Sequence, residues 1–374
     1  MGKATKDEAI LYKCEPTHWK SFPKPLRLVL GWLTVLIFGF SFLTIPMCFV
    51  FLIPAVWRTA PVFSSICLGS VVLSMLLPLK EWPWARKIGQ LWYEIFDFSC
   101  NRSPEQIAEV LKYSDTHQLI MCMHPHGIVP FHAGLWAAYA DQYLSDKVSG
   151  RALYGFGAAA DAVAYVPGLR NIMGWLSAGS ATYKVLKDGI TKGISESCNA
   201  AGRKPRHLYI LPGGVAEIFT STPGRHTIVF KKRKGLCRLS IETGAEMVPC
   251  YVFGGTDFFH NLATDSGMFS KLSRFVRAGV TIFWGRWGLP IPYAPKVTCV
   301  MGEPIVPPKW TPPAPSSASE VTDSNEGKGG KGGKPGKKKN KENKVLIPDE
   351  LVDKLHEEFH HAMIELFDKY KAAA

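Results

Sequence analysis

Residues 119–127 read LIMCMHPHG. An apolar run typical of a buried strand ends here abruptly in polar residues. His124 and His126 are two positions apart, so on an extended backbone their side chains point to the same face. Imidazole is suited to accepting a proton near neutral pH, and Gly127 lets another molecule approach the backbone closely. A pair of histidines packed at a strand end is the alternative, which the motifs further along the chain disfavour.

Strand and helix patterns alternate on both sides of this stretch. The strand over 118–123 is followed by a helical pattern over 131–143, and later apolar strands cover His207–Leu211 and Met247–Phe253. Both later strands run into a Gly-Gly pair. This alternation predicts an α/β domain with a mostly parallel core sheet.

Composition narrows the class of protein. The chain has 374 residues, 47% of them hydrophobic, with 11 Trp and 21 Phe. Its nine cysteines form no CxxC pair, so neither a disulfide framework nor a zinc site is indicated. Such cysteine usage is typical of a reducing compartment.

The net charge of +13 has two sources. Residues 328–344 hold eight lysines and one acid, which supply +7, and the remaining excess suits a membrane surface or anionic substrates. The lysine run lacks interleaved aromatic residues, so we predict no nucleic acid partner. Residues 311–344, rich first in Pro and Ser and then in Gly and Lys, are predicted to be a disordered insertion.

Apolar residues are concentrated near the N-terminus. Residues 1–27 are polar and carry no cleavable leader pattern, whereas two apolar stretches follow at 28–57 and 62–79. Each approaches the length of about 20 residues that spans a bilayer. We therefore expect a transmembrane helical hairpin at 28–79 with both termini cytosolic, because basic residues flank it and only Arg58 lies between. A buried helical pair in a soluble core is the alternative.

Four short motifs follow strands or open helices. They are His124-Pro125-His126-Gly127, Val166-Pro167-Gly168-Leu169-Arg170, Leu211-Pro212-Gly213-Gly214-Val215-Ala216-Glu217 and Arg233-Lys234-Gly235-Leu236-Cys237-Arg238. In this order the chain resembles the type-2 diacylglycerol acyltransferase family, which includes monoacylglycerol and wax-ester acyltransferases. The resemblance covers nearly the whole chain except the extreme N-terminus and residues 311–344.

The resemblance implies a glycerolipid-acyltransferase-like αβ domain over 80–310, with an amphipathic helix over 345–374 packed on it. It also implies transfer of an acyl group from fatty acyl-CoA, a co-substrate, to diacylglycerol, with no permanently bound cofactor. Monoacylglycerol and fatty alcohols are alternative acceptors. Endoplasmic reticulum membrane and the lipid droplet surface are the implied locations, and membrane lipids are implied partners. A homo-oligomer is compatible with the sequence.

Acyl transfer to a hydroxyl needs a base beside the alcohol, and His126 is the candidate. In the wider glycerolipid acyltransferases an aspartate follows the histidine by about five residues, but residues 130–132 here read PFH. Glu217 is therefore the candidate for orienting the imidazole or stabilising its protonated form. His124 is expected to support the base or face the oxyanion.

Glycine-rich turns are candidates for stabilising the oxyanion. Gly127, Gly213 and Gly214 offer bare backbone amides at strand ends, and the Gly-Gly pair precedes a helix. A tight strand-to-helix turn with no chemical role is the alternative interpretation.

Basic side chains are candidates for binding acyl-CoA. We assign this role to Arg170, Arg233, Lys234 and Arg238, because guanidinium groups bind phosphate in a bidentate manner. A solvated basic face is the alternative for each residue.

Two other functions are alternatives to acyl transfer. A metal-dependent hydrolase using His124, His126 and His132 is disfavoured, since no carboxylate lies at ligand spacing, and we predict no metal site. A non-catalytic lipid-binding membrane protein on the same fold is the second. The triplets at 253–255 and 97–99 depart from the family pattern, which leaves the choice of acceptor open.

Overall fold

The computed structural model describes residues 9–77, 82–144, 156–160, 163, 166–191, 207–231, 233–262, 267–276, 279–311 and 347–374. The strands are β1 (Tyr12–Lys13), β2 (Ser99–Cys100), β3 (Leu119–His124), β4 (Phe156–Ala159), β5 (Ala178–Ser180), β6 (Leu208–Ile210), β7 (Glu246–Phe253), β8 (His260–Asn261), β9 (Phe283–Trp284) and β10 (Thr298–Met301).

The helices alternate with these strands over most of the chain. They are α1 (Lys24–Met47), α2 (Ile53–Thr59), α3 (Pro61–Leu76), α4 (Pro83–Gly89), α5 (Trp92–Ile95), α6 (Pro104–Ser114), α7 (Phe131–Tyr143), α8 (Leu169–Trp175), α9 (Tyr183–Thr191), α10 (Gly214–Thr220), α11 (Gly235–Thr243), α12 (Met268–Val276) and α13 (Asp349–Tyr370).

The main sheet has the strand order β1-β2-β10-β7-β3-β6-β4-β5. β3 is parallel to both of its neighbours, β7 and β6, and β4 is parallel to β6 and β5. β10 runs antiparallel to β7, and β1 runs antiparallel to β2. The mixed α/β class with a largely parallel sheet is therefore confirmed.

β3 lies in the middle of the sheet, and all six of its residues are buried. Met121 and Met123 contact the core on one face, whereas Ile120 and Cys122 contact the core on the other. Strands covered by helices on both faces have this continuous apolar pattern. β3 therefore carries its terminal histidine to the carboxyl edge of the sheet, where ligands bind in open α/β folds.

α1 is the helix in the described part of the chain that is long and apolar enough to cross a membrane. One side of α1 packs on the domain through Phe38, whose ring lies 5.3 Å from Trp92 and 5.7 Å from Phe131. Val29, Leu33 and Ile37 are exposed and follow helical spacing on its other side. This unpaired apolar side is what contact with lipid requires.

The structure does not show the expected two-span hairpin. A π-helical stretch, Cys48–Leu52, joins α1 to α2, and the helical conformation breaks at Ala60 before α3 begins at Pro61. α3 has 16 residues, fewer than the about 20 that a spanning helix needs. Residues 78–79, the end of the predicted hairpin, lie outside the described residues.

The C-terminal helix α13 covers one face of the sheet. Its buried side chains recur at helical spacing and are Val352, Leu355, Phe359, Met363, Leu366 and Tyr370. They pack in the same core cluster as α11 and the outer face of β7. The predicted insertion at 311–344 lies, except for Thr311, outside the described residues.

Candidate active site

The end of β3 and the start of α10 meet at the carboxyl edge of the sheet. The carboxylate of Glu217 lies 2.7 Å from Nδ1 of His124, and both side chains are fully buried. The same carboxylate accepts hydrogen bonds from the backbone N–H of His126 at 2.7 Å and from that of Val229 at 2.8 Å. Glu217 therefore holds three separate segments of the chain together.

These contacts keep Glu217 ionised despite its burial. Burial raises the pKa of Glu217, but the charge and hydrogen bond of His124 and the backbone N–H groups of Val229 and His126 outweigh that effect. The pKa therefore lies below its ordinary value. A carboxylate that accepts several hydrogen bonds is stabilised in its charged form in this way.

Gly213 makes room for this carboxylate. A Cβ atom at Gly213 would lie 1.7 Å from the carboxyl carbon of Glu217, which no side chain could tolerate. The backbone N–H of Gly214 donates to the carbonyl of Leu211 at 3.3 Å. The Gly-Gly pair thus forms the tight turn of the alternative interpretation. Its predicted role in oxyanion binding stays a prediction.

The ring of His126 is oriented by the neighbouring residue Gly127, whereas Glu217 bonds only the backbone of His126. Nδ1 of the His126 ring lies 2.9 Å from the carbonyl oxygen of Gly127, which can only accept a hydrogen bond. In the neutral ring Nδ1 therefore carries the proton and Nε2 holds the free lone pair. The carbonyl supplies the orienting contact expected of a carboxylate, and Glu217 instead bonds the ring of His124.

Burial lowers the pKa of His126 below its ordinary value of 6.5, and the bond to Gly127 and the charge of Glu217 offset only part of this effect. The ring is therefore neutral at pH 7, the state in which Nε2 accepts a proton. Gly127 has φ +69°, and a Cβ there would lie 2.5 Å from the carbonyl oxygen of Gly255. Glycine is thus required at this turn.

A cavity of about 1060 Å³ opens beside His126. Its walls come from the sheet, from α7 to α11 and from α1, which contributes Phe38 and Phe42. Nearly all lining side chains are apolar, and His126 and Arg233 are among the polar exceptions. The guanidinium of Arg233 donates to the backbone carbonyl of Gly213 at 3.2 Å. Such a cavity fits long hydrocarbon chains with one reactive group.

His132, the second residue of α7, lies beside the turn at Gly127. Its ring is buried, and neither ring nitrogen has a hydrogen-bond partner among the described residues. Burial, followed by the charge of His126, lowers the pKa of His132 to about 3. His132 is therefore neutral at physiological pH.

The four basic residues predicted to bind acyl-CoA are not gathered in one place. Arg233 lines the cavity, whereas Lys234 pairs with Asp353 and Arg238 pairs with Asp349 on α13. Arg170 donates to the carbonyl of Leu77 at the end of α3 at 3.0 Å. Their role toward coenzyme A stays a prediction.

Sequence reasoning missed three features of the site. Val229 leaves no signal in a motif because it acts through its backbone N–H. The aromatic residues of α1 that line the cavity leave none either, because they resemble apolar residues of any helix. The third, the bond from Nδ1 of His126 to Gly127, depends on the backbone turn. Within the described ranges, no group of three or more His, Cys, Asp or Glu is placed to hold a metal ion.

A family model and individual relatives of this chain point to the same protein family. The family model for diacylglycerol acyltransferase matches residues 62–323. Human "Diacylglycerol O-acyltransferase 2" is 24% identical over 338 residues, covering 83% of this chain and 72% of that protein.

Two further relatives differ in the alcohol that their names give. Mouse "Acyl-CoA wax alcohol acyltransferase 2" is 28% identical over 231 residues, covering 59% of this chain and 65% of that protein. Human "2-acylglycerol O-acyltransferase 3" is 39% identical over 113 residues, covering 26% and 32%. With a family model matched over most of its length, the chain belongs to the diacylglycerol acyltransferase family and is an acyltransferase.

Proposed function

We propose that this protein transfers the acyl group of a fatty acyl-CoA to the free hydroxyl of diacylglycerol, forming triacylglycerol. The observation that carries the proposal is His126, a neutral imidazole of fixed tautomer in the wall of an apolar cavity of about 1060 Å³. The names of the relatives support acyl-CoA as donor and an acylglycerol as acceptor.

In the proposed reaction His126 is the general base. Nε2 accepts the hydroxyl proton while the alcohol oxygen attacks the thioester carbonyl carbon, and a tetrahedral oxyanion forms. The carbon–sulfur bond then breaks, and His126 returns its proton to the coenzyme A thiolate. The net products are the ester and free coenzyme A.

Glu217 acts as a positioning residue in this scheme. It bonds the ring of His124 and the backbone of His126, so it fixes the segment between them without contacting the reacting ring. Its negative charge also favours the imidazolium that forms during the reaction. The buried ring of His124 holds this carboxylate in place through Nδ1.

The acidic part of coenzyme A is assigned first to Arg233, which lines the cavity mouth near Gly213. Lys234 and Arg238 are the next candidates, and they would have to exchange their acidic partners on α13 for phosphate. The oxyanion is assigned to the backbone near Gly127 and Gly213.

The acceptor is the least constrained part of the proposal. The relatives named for wax alcohol and 2-acylglycerol support fatty alcohol and monoacylglycerol as alternatives. All three acceptors present one hydroxyl on a hydrocarbon body, which matches the polarity of the cavity.

The apolar helix α1 and the family indicate membrane association. We place the segment 28–79 in the endoplasmic reticulum membrane as a hairpin, with both termini in the cytosol and with access to lipid droplets. The charge distribution supports this topology, because Arg58 is the one basic residue between the two apolar stretches.

The test is acyl transfer by the purified full chain in nanodiscs, with labelled oleoyl-CoA and a panel of diacylglycerol, monoacylglycerol and fatty alcohol. His126→Ala should lower turnover by about 10²–10⁴-fold, the usual contribution of a general base. His361→Ala, an exposed histidine on α13, is the matched control and should be unaffected.

Two outcomes would overturn the assignment. Unchanged turnover in a folded His126→Ala protein removes His126 from the mechanism. A folded wild-type protein that transfers no acyl group to any acceptor, yet binds lipid, is instead a non-catalytic lipid-binding protein.

A further inference from the structure

A second apolar surface lies far along the chain from α1. It consists of the exposed side chains of α12 and of the turn that follows β9, and we call it the α12 surface. Its members are Met268, Leu272, Phe275, Trp287 and Leu289. Phe275 is 86% exposed, Trp287 82% and Met268 75%. Large side chains exposed to this degree in one region mark an interaction site.

Trp287 is held in an unusual conformation. Its φ of +57° places a bulky residue in the left-handed region, which is strained for a side chain of this size. The turn around it is fixed by hydrogen bonds from Gly285 to Leu289 at 2.7 Å and from Arg286 to Ile291 at 2.8 Å. A rigid turn thus presents the indole outward. Tryptophan in this setting is typical of a membrane interface.

The turn that follows β9 contacts the apolar helix α1. The guanidinium of Arg286 stacks over the ring of Trp32 on α1, 5.0 Å from the ring centre. The neighbouring turn residue Trp287 therefore lies beside a helix whose exposed side is also apolar. A membrane that contacts α1 is accordingly in reach of the turn.

The charge of this region suits a lipid surface. Residues 267–289 contain Lys271, Arg274, Arg277 and Arg286 and no acidic residue. An amphipathic helix with basic and apolar residues lies in the plane of the interface, where its basic groups meet headgroup phosphates. A protein partner would not require this uniform sign of charge.

The α12 surface is also joined to the cavity. Oγ of Ser273 on α12 accepts from the backbone N–H of Val280 at 2.8 Å, and Val280 lines the cavity. Gly279 lies against Ile218, the residue next to Glu217, so closely that a Cβ would lie 2.5 Å from its side chain. Contact at α12 therefore reaches the rim of the candidate active site.

We propose that the α12 surface docks into the headgroup region of the same membrane that holds α1, and that it sets the cavity rim against the lipid from which the acceptor enters. The occupant is the bilayer interface. The docking is independent of catalysis, whereas acceptor entry rests on the proposed acyl transfer.

Docking is tested with a nitroxide label on the full chain in nanodiscs of phosphatidylcholine and phosphatidylserine. Trp287→Cys carries the probe, and Val306→Cys, which replaces another exposed apolar residue, is the control. Wild-type protein treated with the same reagent gives the background from native cysteines. We expect the label at 287 to gain oxygen collisions and lose collisions with a water-soluble nickel complex relative to the label at 306.

Equal nickel accessibility at the two positions would overturn docking. Dipolar broadening between labels at 287 would place a second copy on the surface and would also overturn it. Both readouts are independent of acyl transfer, so they separate this proposal from the proposed function.

Acceptor entry is tested by the double variant Phe275→Glu, Trp287→Glu. It should lose turnover of long-chain diacylglycerol in the bilayer and keep turnover of a short-chain, water-soluble diacylglycerol. Equal loss with both acceptors, or loss with neither, contradicts entry through this surface.

Discussion

The single residue Glu217 shows how a buried carboxylate can stay charged. Its carboxylate is removed from water, yet three hydrogen bonds from His124, His126 and Val229 keep it charged. Breaking such an arrangement leaves buried polar groups without partners, which costs several times the value of an ordinary hydrogen bond. The geometry around it is therefore sensitive to small changes.

Gly213→Ala should abolish most activity. The added methyl group would overlap the carboxylate of Glu217 and displace it, and with it the backbone of His126. A displacement of about 1 Å at a catalytic group lowers turnover by about 10²-fold. Steady-state kinetics of the purified variant measure this effect.

Gly69→Ala is the control for that substitution. Gly69 lies on α3 with open space around it, so the same added methyl group should leave turnover unchanged. Full activity in Gly213→Ala would show that the position of Glu217 is not needed.

The pH dependence of kcat/KM should report His126. Its pKa lies below 6.5 because of burial, so the free base is lost only as the pH falls below that value. We expect activity to be constant near pH 7 and to decrease at lower pH. Glu217, whose pKa lies below its ordinary value, stays charged across this range and does not cause the decrease.

A stopped assay from pH 5 to 8, with unfolding followed in parallel, measures this profile. A decrease in activity that begins above pH 7 would contradict a base with a lowered pKa. The parallel measurement separates titration of the site from acid unfolding.

At this scale the sequence predicts which residues meet but not how they bond. The spacing of His124 and His126 and the later Glu217 indicated a shared site, and the structure brings these residues together. The expected contact between Glu217 and the His126 ring does not occur, because the turn at Gly127 rotates that ring toward its own neighbour's carbonyl. The conformation of this turn depends on contacts with residues distant in sequence, such as Gly255, so the local sequence does not predict it.

At the scale of elements, local signals predict the helices and strands well where the pattern is strong. Ser103 caps α6 with a capping box to Gln106, and α7 spans Phe131–Tyr143 as its pattern predicts. The predicted second membrane span is different. Composition extends to Leu79, but the helix α3 ends at Leu76, so apolar content alone overestimates its length.

Phe359→Ala should destabilise the fold through α13. Phe359 is fully buried and packs against Phe230, with 4.8 Å between ring centres, so its removal leaves a cavity that costs about 3–5 kcal/mol. Thermal unfolding in detergent should show a clear decrease in Tm.

Ile364→Ala on the same helix is the matched control. Ile364 is exposed, so the change in stability should stay within about 0.5 kcal/mol. Equal shifts in the two variants would show that α13 is not packed on the sheet as described.

At the scale of the whole molecule, the cavity is assembled from distant parts of the chain. Phe42 on α1, Ala158 on β4 and Leu239 on α11 all line it. The α/β class and the parallel sheet follow from the alternation of patterns, because each strand needs a covering helix. The cavity does not follow, since its volume depends on how the layers pack.

Ala158→Phe should change the preference for acyl chain length. The larger side chain fills part of the cavity wall, so kcat/KM for long-chain acyl-CoA should fall by about tenfold relative to short-chain acyl-CoA. A chain-length series measures the ratio. Ala372→Phe, at an exposed position near the C-terminus, should leave it unchanged, and a uniform loss for all chain lengths would point to misfolding of the sheet.

The three contacts of Glu217 join segments that are separated by 93, 91 and 12 residues in sequence. A partly synthesised or partly folded chain therefore has no finished reaction centre, however much local helix it has formed. The arrangement around Glu217 is therefore complete only when all three of these segments are in place.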